Sequence, residues 1–182
     1  DSAGDVELNS LGLEIHKVQS NGRQFQYAQN GEDLVVKTGP FSGRLEVEYR
    51  GKGSDALVGL YKAPVGDTHV LSTQFEAASA RRVLPCVDHP AYKAEFRLTV
   101  RLDQDLSVIS NMPQESAKPD GDRKTVVFPK TPRMSTYLLY LGVGKFDEAA
   151  DKLGSVDMRI ATTPGKTQKT RFAMDVAKES VK

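Results

Sequence analysis

Lys93-Ala94-Glu95-Phe96-Arg97-Leu98-Thr99-Val100-Arg101-Leu102 is the stretch on which the fold turns. Ala94, Phe96, Leu98, Val100 and Leu102 alternate with Glu95, Arg97, Thr99 and Arg101. Successive side chains of a strand leave on opposite faces, so this segment buries one face and wets the other. That pattern belongs to antiparallel sheet with one solvated side. Leu13 and Ile15 against Glu14 and His16, and Leu45, Val47 and Tyr49 against Glu46 and Glu48, repeat it upstream. Ser20-Asn21-Gly22, Asn30-Gly31-Glu32-Asp33, Gly51-Lys52-Gly53-Ser54 and Pro119-Asp120-Gly121-Asp122 break the chain between such runs, as hairpins require. Short strands at this spacing predict an all-β fold, a β-sandwich or a curved, saddle-like antiparallel sheet.

Val126-Val127-Phe128 predicts a further strand. So does Ser135 to Phe146; its centre, Tyr137-Leu138-Leu139-Tyr140-Leu141, is apolar on both faces and predicts a strand buried on both. Gly142 and Gly144 within it mark a bulge or a close backbone approach. Val156 to Ala161 predicts the last strand, and Thr163-Pro164-Gly165 interrupts the chain. Beyond it Phe172 and Val176, with Ala173, Ala177 and Val181, recur at helical spacing, and Thr167 or Thr170 is placed to cap the helix. A single amphipathic helix at the end of an all-β chain reads as the start of a second domain.

Bulk properties narrow the function classes. The 182 residues suffice for one domain, or one and the beginning of another. With 38% hydrophobic and 27% charged residues the composition is that of a globular protein. Lys and Arg total 25 against 24 Asp and Glu, so nothing in the net charge of +1 favours nucleic acid or an anionic membrane as partner. No apolar run approaches the ~20 residues that span a bilayer, and the acidic stretch from Asp1 to Glu7 lacks the features of a leader. The single cysteine, Cys86, excludes an internal disulfide and is compatible with a reducing cytoplasm, where the protein is expected.

Catalytic and metal motifs are sparse. The three histidines, His16, His69 and His89, are far apart, and no H-E-x-x-H sets two of them one helical turn from each other. No metal site is therefore expected within the chain. Cys86 lies in Leu84-Pro85-Cys86-Val87, an apolar setting that raises a thiol pKa and predicts a small buried residue rather than a nucleophile. There is no G-x-S-x-G elbow, and Gly51-Lys52-Gly53 lacks the third glycine and the helix of a phosphate loop. One polar constellation remains, in Leu71-Ser72-Thr73-Gln74-Phe75-Glu76. A strand puts Gln74 and Glu76 on one face and Phe75 on the other. A carboxylate beside an amide can receive a primary ammonium, the first supplying charge and the second another acceptor. Two polar residues on the wet face of a strand are more often plain surface.

Three segments add to this reading. Ser72 to Ala94, which contains Gln74-Phe75-Glu76-Ala77-Ala78 and Arg81-Arg82-Val83-Leu84-Pro85-Cys86-Val87-Asp88-His89-Pro90, resembles the signature of the zinc aminopeptidases of the aminopeptidase N and puromycin-sensitive aminopeptidase type. Ile109-Ser110-Asn111-Met112-Pro113 and Pro132-Arg133-Met134-Ser135-Thr136-Tyr137-Leu138 follow in that family's order, and Asp88-His89-Pro90 is the variant found in the archaeal tricorn-interacting aminopeptidases. The likeness covers nearly the whole chain. It implies a saddle-shaped N-terminal β-domain that sits over a zinc-bearing catalytic domain, in a cytoplasmic metallopeptidase that releases N-terminal residues from peptides. It also implies that Glu76 binds the substrate's α-ammonium and that Gln74 faces the first side-chain pocket. Arg81, Asp88 and Pro90 match as structural residues, Asp88 receiving backbone N–H groups in a turn stiffened by Pro90.

The expected division is residues 1–153 as the β-domain, lacking the family's first strands, and 154–182 as a truncated start of the catalytic domain. Zinc belongs to that second domain, so this stretch holds no catalytic residue and is inactive alone. Its expected partners are the peptide's amino end and the catalytic domain, not nucleic acid or membrane. The alternative is a stand-alone β-sandwich interaction module that uses an unpaired sheet edge and the Phe172/Val176 face. A carbohydrate module is less consistent with 7% aromatics and no Trp.

Overall fold

The computed structural model describes residues 2–182. Asp1, with which the acidic stretch begins, lies outside the described residues. In chain order the strands are β1 (Val6–Asn9), β2 (Glu14–Ser20), β3 (Arg23–Gln24), β4 (Tyr27–Asn30), β5 (Asp33–Val36), β6 (Glu46–Arg50), β7 (Gly59–Val65), β8 (Thr68–Gln74), β9 (Lys93–Ala94), β10 (Thr99–Asp103), β11 (Ser107–Ser110), β12 (Ser116–Asp120), β13 (Arg123–Val127), β14 (Met134–Ser135), β15 (Leu141–Gly144), β16 (Asp147–Leu153) and β17 (Val156–Thr162). One α-helix, α1 (Arg171–Ser180), follows them. The fold is all-β and its strand ladders are antiparallel, as the alternation predicts.

The strands form two packed pairs of sheets. In the first, β1-β5-β4 faces β3-β2-β6, and Leu13, Ile15 and Val18 from around β2 meet Leu34 and Val36 of β5 in a buried cluster. Where the β2–β6 register slips between Ile15 and Lys17, the Ile15 carbonyl accepts the Tyr27 hydroxyl proton at 2.8 Å, which ties β4 to the facing sheet. In the second, β11-β15-β8-β7 faces β10-β13-β12 around Leu102, Val108, Val126 and Phe128. A third cluster of Phe75, Ala80 and Leu139 lies directly beneath the end of β8. Each cluster draws its apolar residues from the inward positions of alternating strands, which is what removes them from water.

The decisive stretch keeps its alternation but not its continuity. Phe96, Leu98, Val100 and Leu102 turn inward while Glu95, Arg97, Thr99 and Arg101 face solvent. Lys93–Ala94 pairs with β14 and Thr99–Asp103 with β13. Between them the backbone bonds to a loop, Thr131 N–H donating to the Phe96 carbonyl and Phe128 N–H to that of Leu98. Three of the four turn signals form hairpins, β2–β3, β4–β5 and β12–β13. The fourth does not: Gly51 to Ser54 runs as coil, and Ser54 makes a parallel bridge to Tyr61.

The prediction of one doubly buried strand over Ser135 to Phe146 is overturned. Met134–Ser135 is a short strand, Thr136–Leu138 is a 3-10 turn, and only Leu141–Gly144 returns to the sheet. Leu138 and Tyr140 are exposed. The reason is local competition for the backbone. Ser135 Oγ donates to the Pro90 carbonyl and Thr136 Oγ1 to the Asp88 carboxylate, both at 2.7 Å, and these bonds turn the chain where a ladder would continue. The glycines mark close approaches, as their position predicts. A Cβ on Gly144 would lie 2.8 Å from Val70 Cγ2.

β16 and β17 form a separate two-stranded ribbon, and Leu153 and Val156 flank its turn. The helix lies against this ribbon through buried Met174 and a Lys178–Asp151 ion pair, while Phe172 and Val176 face outward. Thr170 occupies the N-cap position without capping; its hydroxyl donates back to the Thr167 carbonyl.

One buried polar hub joins the first pair of sheets to the second. The Asp88 side chain, 1% exposed, accepts from Arg81 N–H and Nε, both at 3.1 Å, and from Thr136 Oγ1. Its own N–H donates to Asn9 Oδ1 at 3.0 Å. Arg81 also reaches Glu32 at 2.8 Å. Burial works against the Arg81 charge, but its bonds to Asp88 and Glu32 outweigh that and raise its pKa. Removing the Asp88 carboxylate leaves the Thr136 hydroxyl and the Arg81 N–H and Nε without their acceptor, while Glu32 still pairs with the guanidinium. Asp88→Ala is therefore expected to lower the urea unfolding free energy by about 1–3 kcal/mol. Arg101→Ala, which removes an exposed pair with Asp120, should change it by less than about 1 kcal/mol.

Candidate functional site

The site is built on the last residues of β8. Thr73 and Phe75 are buried, and Gln74 and Glu76 are exposed. Thr73 faces in because its hydroxyl accepts the Leu141 N–H at 2.8 Å. Phe75, 2% exposed, fills the cluster below. Gln74 ends the strand opposite Gly59 of β7. Glu76 opens the turn that follows, and its peptide bond to Ala77 is cis.

Two anchors hold that turn. The Ser79 N–H donates to the Phe75 carbonyl at 2.8 Å, and Ala80 is fully buried. The 3-10 turn Ala80–Arg82 follows at once, and Arg81 locks into the Asp88 hub. Glu76 is thus an exposed side chain on fixed backbone. Neither Gln74 nor Glu76 has a hydrogen-bond or ion-pair partner among the described residues. Both are exposed, but β8 ends at Gln74 and Glu76 lies in the turn beyond it, so only Gln74 belongs to the outer face of the strand.

The same face carries residues that sequence reasoning missed. Ser72 precedes Gln74 by two positions, and Tyr61 is its cross-strand partner on β7. Tyr140 approaches from the other side, its hydroxyl 3.3 Å from Ser72 Oγ. Ser72 was legible in the two-residue period. Tyr140 was not, because its place depends on the unforeseen turn at Thr136–Leu138.

The remaining candidates do not converge. Among the described residues no group of three or more His, Cys, Asp or Glu side chains could hold a metal ion. His16 lies 3.8 Å from Glu14. His89 Nδ1 accepts the Ala91 N–H at 3.2 Å, with its ring edge-on to Tyr92. These residues do not fit zinc. No described helix is long and apolar enough to cross a membrane.

Residues 2–138 match the peptidase M1 N-terminal domain. The chain belongs to that family. A probable aminopeptidase 2 of Sulfurisphaera tokodaii is 50% identical over 178 residues, covering 97% of this chain and 23% of the relative. A leucyl aminopeptidase of Saccharolobus solfataricus is 49% identical over 177 residues, covering 97% and 22%. Tricorn protease-interacting factor F2 of Thermoplasma acidophilum is 40% identical over 179 residues, again covering 97% and 22%. The chain thus spans less than a quarter of the length of these relatives.

In this M1 N-terminal domain Cys86 is half-buried rather than fully buried, and its backbone bridges to Asn9 of β1. Burial, with the Asp88 charge adding to it, pushes its thiol up to about 12. The thiolate is the reactive form. In a disulfide-exchange assay at pH 8 the folded chain should therefore react far more slowly than the same chain in denaturant, and the rate should climb as pH approaches 12. Equal rates in both states would contradict this placement.

Proposed function

We propose that this chain is the non-catalytic N-terminal β-domain of a zinc-dependent aminopeptidase, and that it anchors the α-ammonium of the peptide substrate through Glu76, with Gln74 beside it. The observation that carries the reading is the uncommitted carboxylate of Glu76, held on fixed backbone in a member of the peptidase M1 family. Residues 1–153 are the β-domain and 154–182 lead into the catalytic domain. Zinc and the groups that cleave the bond belong to that further domain. The chain works in the cytoplasm, with the peptide and its own catalytic domain as partners.

The chemistry of this domain is recognition. The Glu76 carboxylate accepts charge-assisted hydrogen bonds from the ammonium, and the Gln74 carbonyl accepts another. An acylated amino end has no charge and one N–H, so it leaves the carboxylate unpaired and is rejected. Fixing the amino end sets the distance to the first peptide bond, so positioning is the contribution to rate. A free α-amino group titrates at about 7.7–8.0. As pH rises past that range the ligand loses its charge and this attraction weakens.

The test uses the complete gene product that contains this chain. Its coding sequence should carry H-E-x-x-H downstream of Lys182; a stop codon there would support the stand-alone interaction module instead. Glu76→Ala should lower kcat/KM on peptides with a free amino end by roughly 10- to 100-fold, the worth of one or two charge-assisted bonds. Glu76→Gln, which keeps an acceptor and loses the charge, should fall between. Undiminished activity in Glu76→Ala would sink the anchor.

A further inference from the structure

We infer that Tyr140 is a specificity-determining residue, forming an aromatic wall for the side chain of the peptide's first residue and favouring large apolar ones. This rests on the ammonium anchor proposed for Glu76. It is carried independently by the way the ring is held.

The position of Tyr140 follows from strand register. Gly142 of β15 lies opposite Ser72 of β8, and Val143 opposite Leu71. Continuing that antiparallel register by two residues sets Tyr140 beside Gln74. The Leu141 N–H bond to Thr73 Oγ1 holds the intervening pair in line. The next row across the sheet runs Ile109, Gly142, Ser72 and Tyr61. Gly142 leaves a gap in that row, and Tyr140 fills it: a Cβ there would lie 2.8 Å from the tyrosine hydroxyl. The ring therefore lies along the face of β8 that carries Ser72 and Gln74, just before the turn that holds Glu76.

Its backbone is fixed with unusual thoroughness for an exposed residue. The Tyr140 N–H donates to Asn111 Oδ1 at 2.7 Å, and its carbonyl accepts from Ser110 Oγ at 2.8 Å. Asn111 Nδ2 donates to the Leu138 carbonyl at 2.8 Å, which clamps the approach. Yet 37% of the residue remains exposed. A rigid, half-open aromatic ring loses little conformational freedom when a ligand covers it.

The geometry then divides the labour along β8. Side chains two positions apart on one face are separated by about 6–7 Å. An ammonium held at Glu76 sends the first side chain back along the strand, past Gln74 and onto the Tyr140 ring. Leu, Phe or Tyr at that position covers the ring, and Ala does not reach it.

The experiment compares kcat/KM for Ala-, Leu- and Phe-aminomethylcoumarin amides in the complete gene product. Tyr140→Ala should reduce the rates on the Leu and Phe substrates by roughly tenfold, as expected for apolar pocket contacts, and that on Ala by less than about twofold. Tyr140→Phe keeps the ring, loses the bond to Ser72, and should retain the wild-type order of preference. An equal loss on all three substrates, or no loss on any, would overturn the inference. If Glu76→Ala behaves as proposed and Tyr140→Ala does not discriminate, only this inference fails. If neither variant changes kcat/KM, the anchor reading fails with it.

Discussion

The structure depends on a carboxylate that cannot reach water. Asp88 is one of the few charged groups in the interior, and an ion stripped of solvent is tolerated only when its lone pairs are met. Here they are met from two directions, and the N–H of the same residue from a third. Arg81 belongs to the turn after the site strand, Thr136 to the turn before β15, and Asn9, which accepts the Asp88 N–H, to the edge strand of the first sheet pair. Arg81 and Thr136 must both reach the carboxylate, and Asn9 the backbone beside it, for this residue to be satisfied. A chain that misplaces any one of them leaves a buried group unpaired, so the hub selects against other arrangements as much as it stabilises this one. Specificity of that kind is the best physical account of why an ion pair sits where an apolar cluster would bury as well.

The site inherits its rigidity from that selection. Between buried Phe75 and buried Ala80 the chain has four residues in which to turn, and the Ser79–Phe75 hydrogen bond closes them. Arg81 is already committed to Asp88 and Glu32. The guanidinium nearest in sequence is therefore unable to fold back onto Glu76. What a fixed backbone gives is a fixed point of attachment: only the side-chain rotamers of Glu76 remain to be ordered by whatever it binds.

Much of the fold was legible because period-two alternation reports burial directly, and burial follows it in both sheet pairs. The exposure of Gln74 and Glu76 on either side of buried Phe75 was legible for the same reason. What escaped was decided by side chains far away in sequence. Nothing in Tyr137-Leu138-Leu139-Tyr140-Leu141 shows that Asp88, Pro90 and Asn111 will take its backbone and neighbouring hydroxyls out of the ladder. The helix shows a milder form of the problem. Its apolar residues suggested a stripe through Phe172 and Val176, but docking on β16–β17 uses Met174 and the Lys178–Asp151 pair, a choice made by the ribbon. Local pattern identifies which residues can be buried; tertiary partners decide which of them are.

The charge pattern around the site argues in the same direction. Cations and anions are nearly equal in number, and many exposed acids take advantage of it. Glu46 pairs with Arg44, Glu95 with Lys130, Glu115 with Arg97 and Glu148 with Arg159. Such surface pairs contribute little to stability, but they would matter to a ligand, which must first displace the resident cation and then desolvate the acid. Around Glu76 the neighbours are Ala77, Ala78 and Ser79, too short to carry a charge toward it. Small residues there leave the carboxylate approachable and leave space for a chain end beside it. An exposed acid without a partner among the described residues, on a turn closed by the Ser79–Phe75 hydrogen bond, has its electrostatic attraction available for something outside the domain.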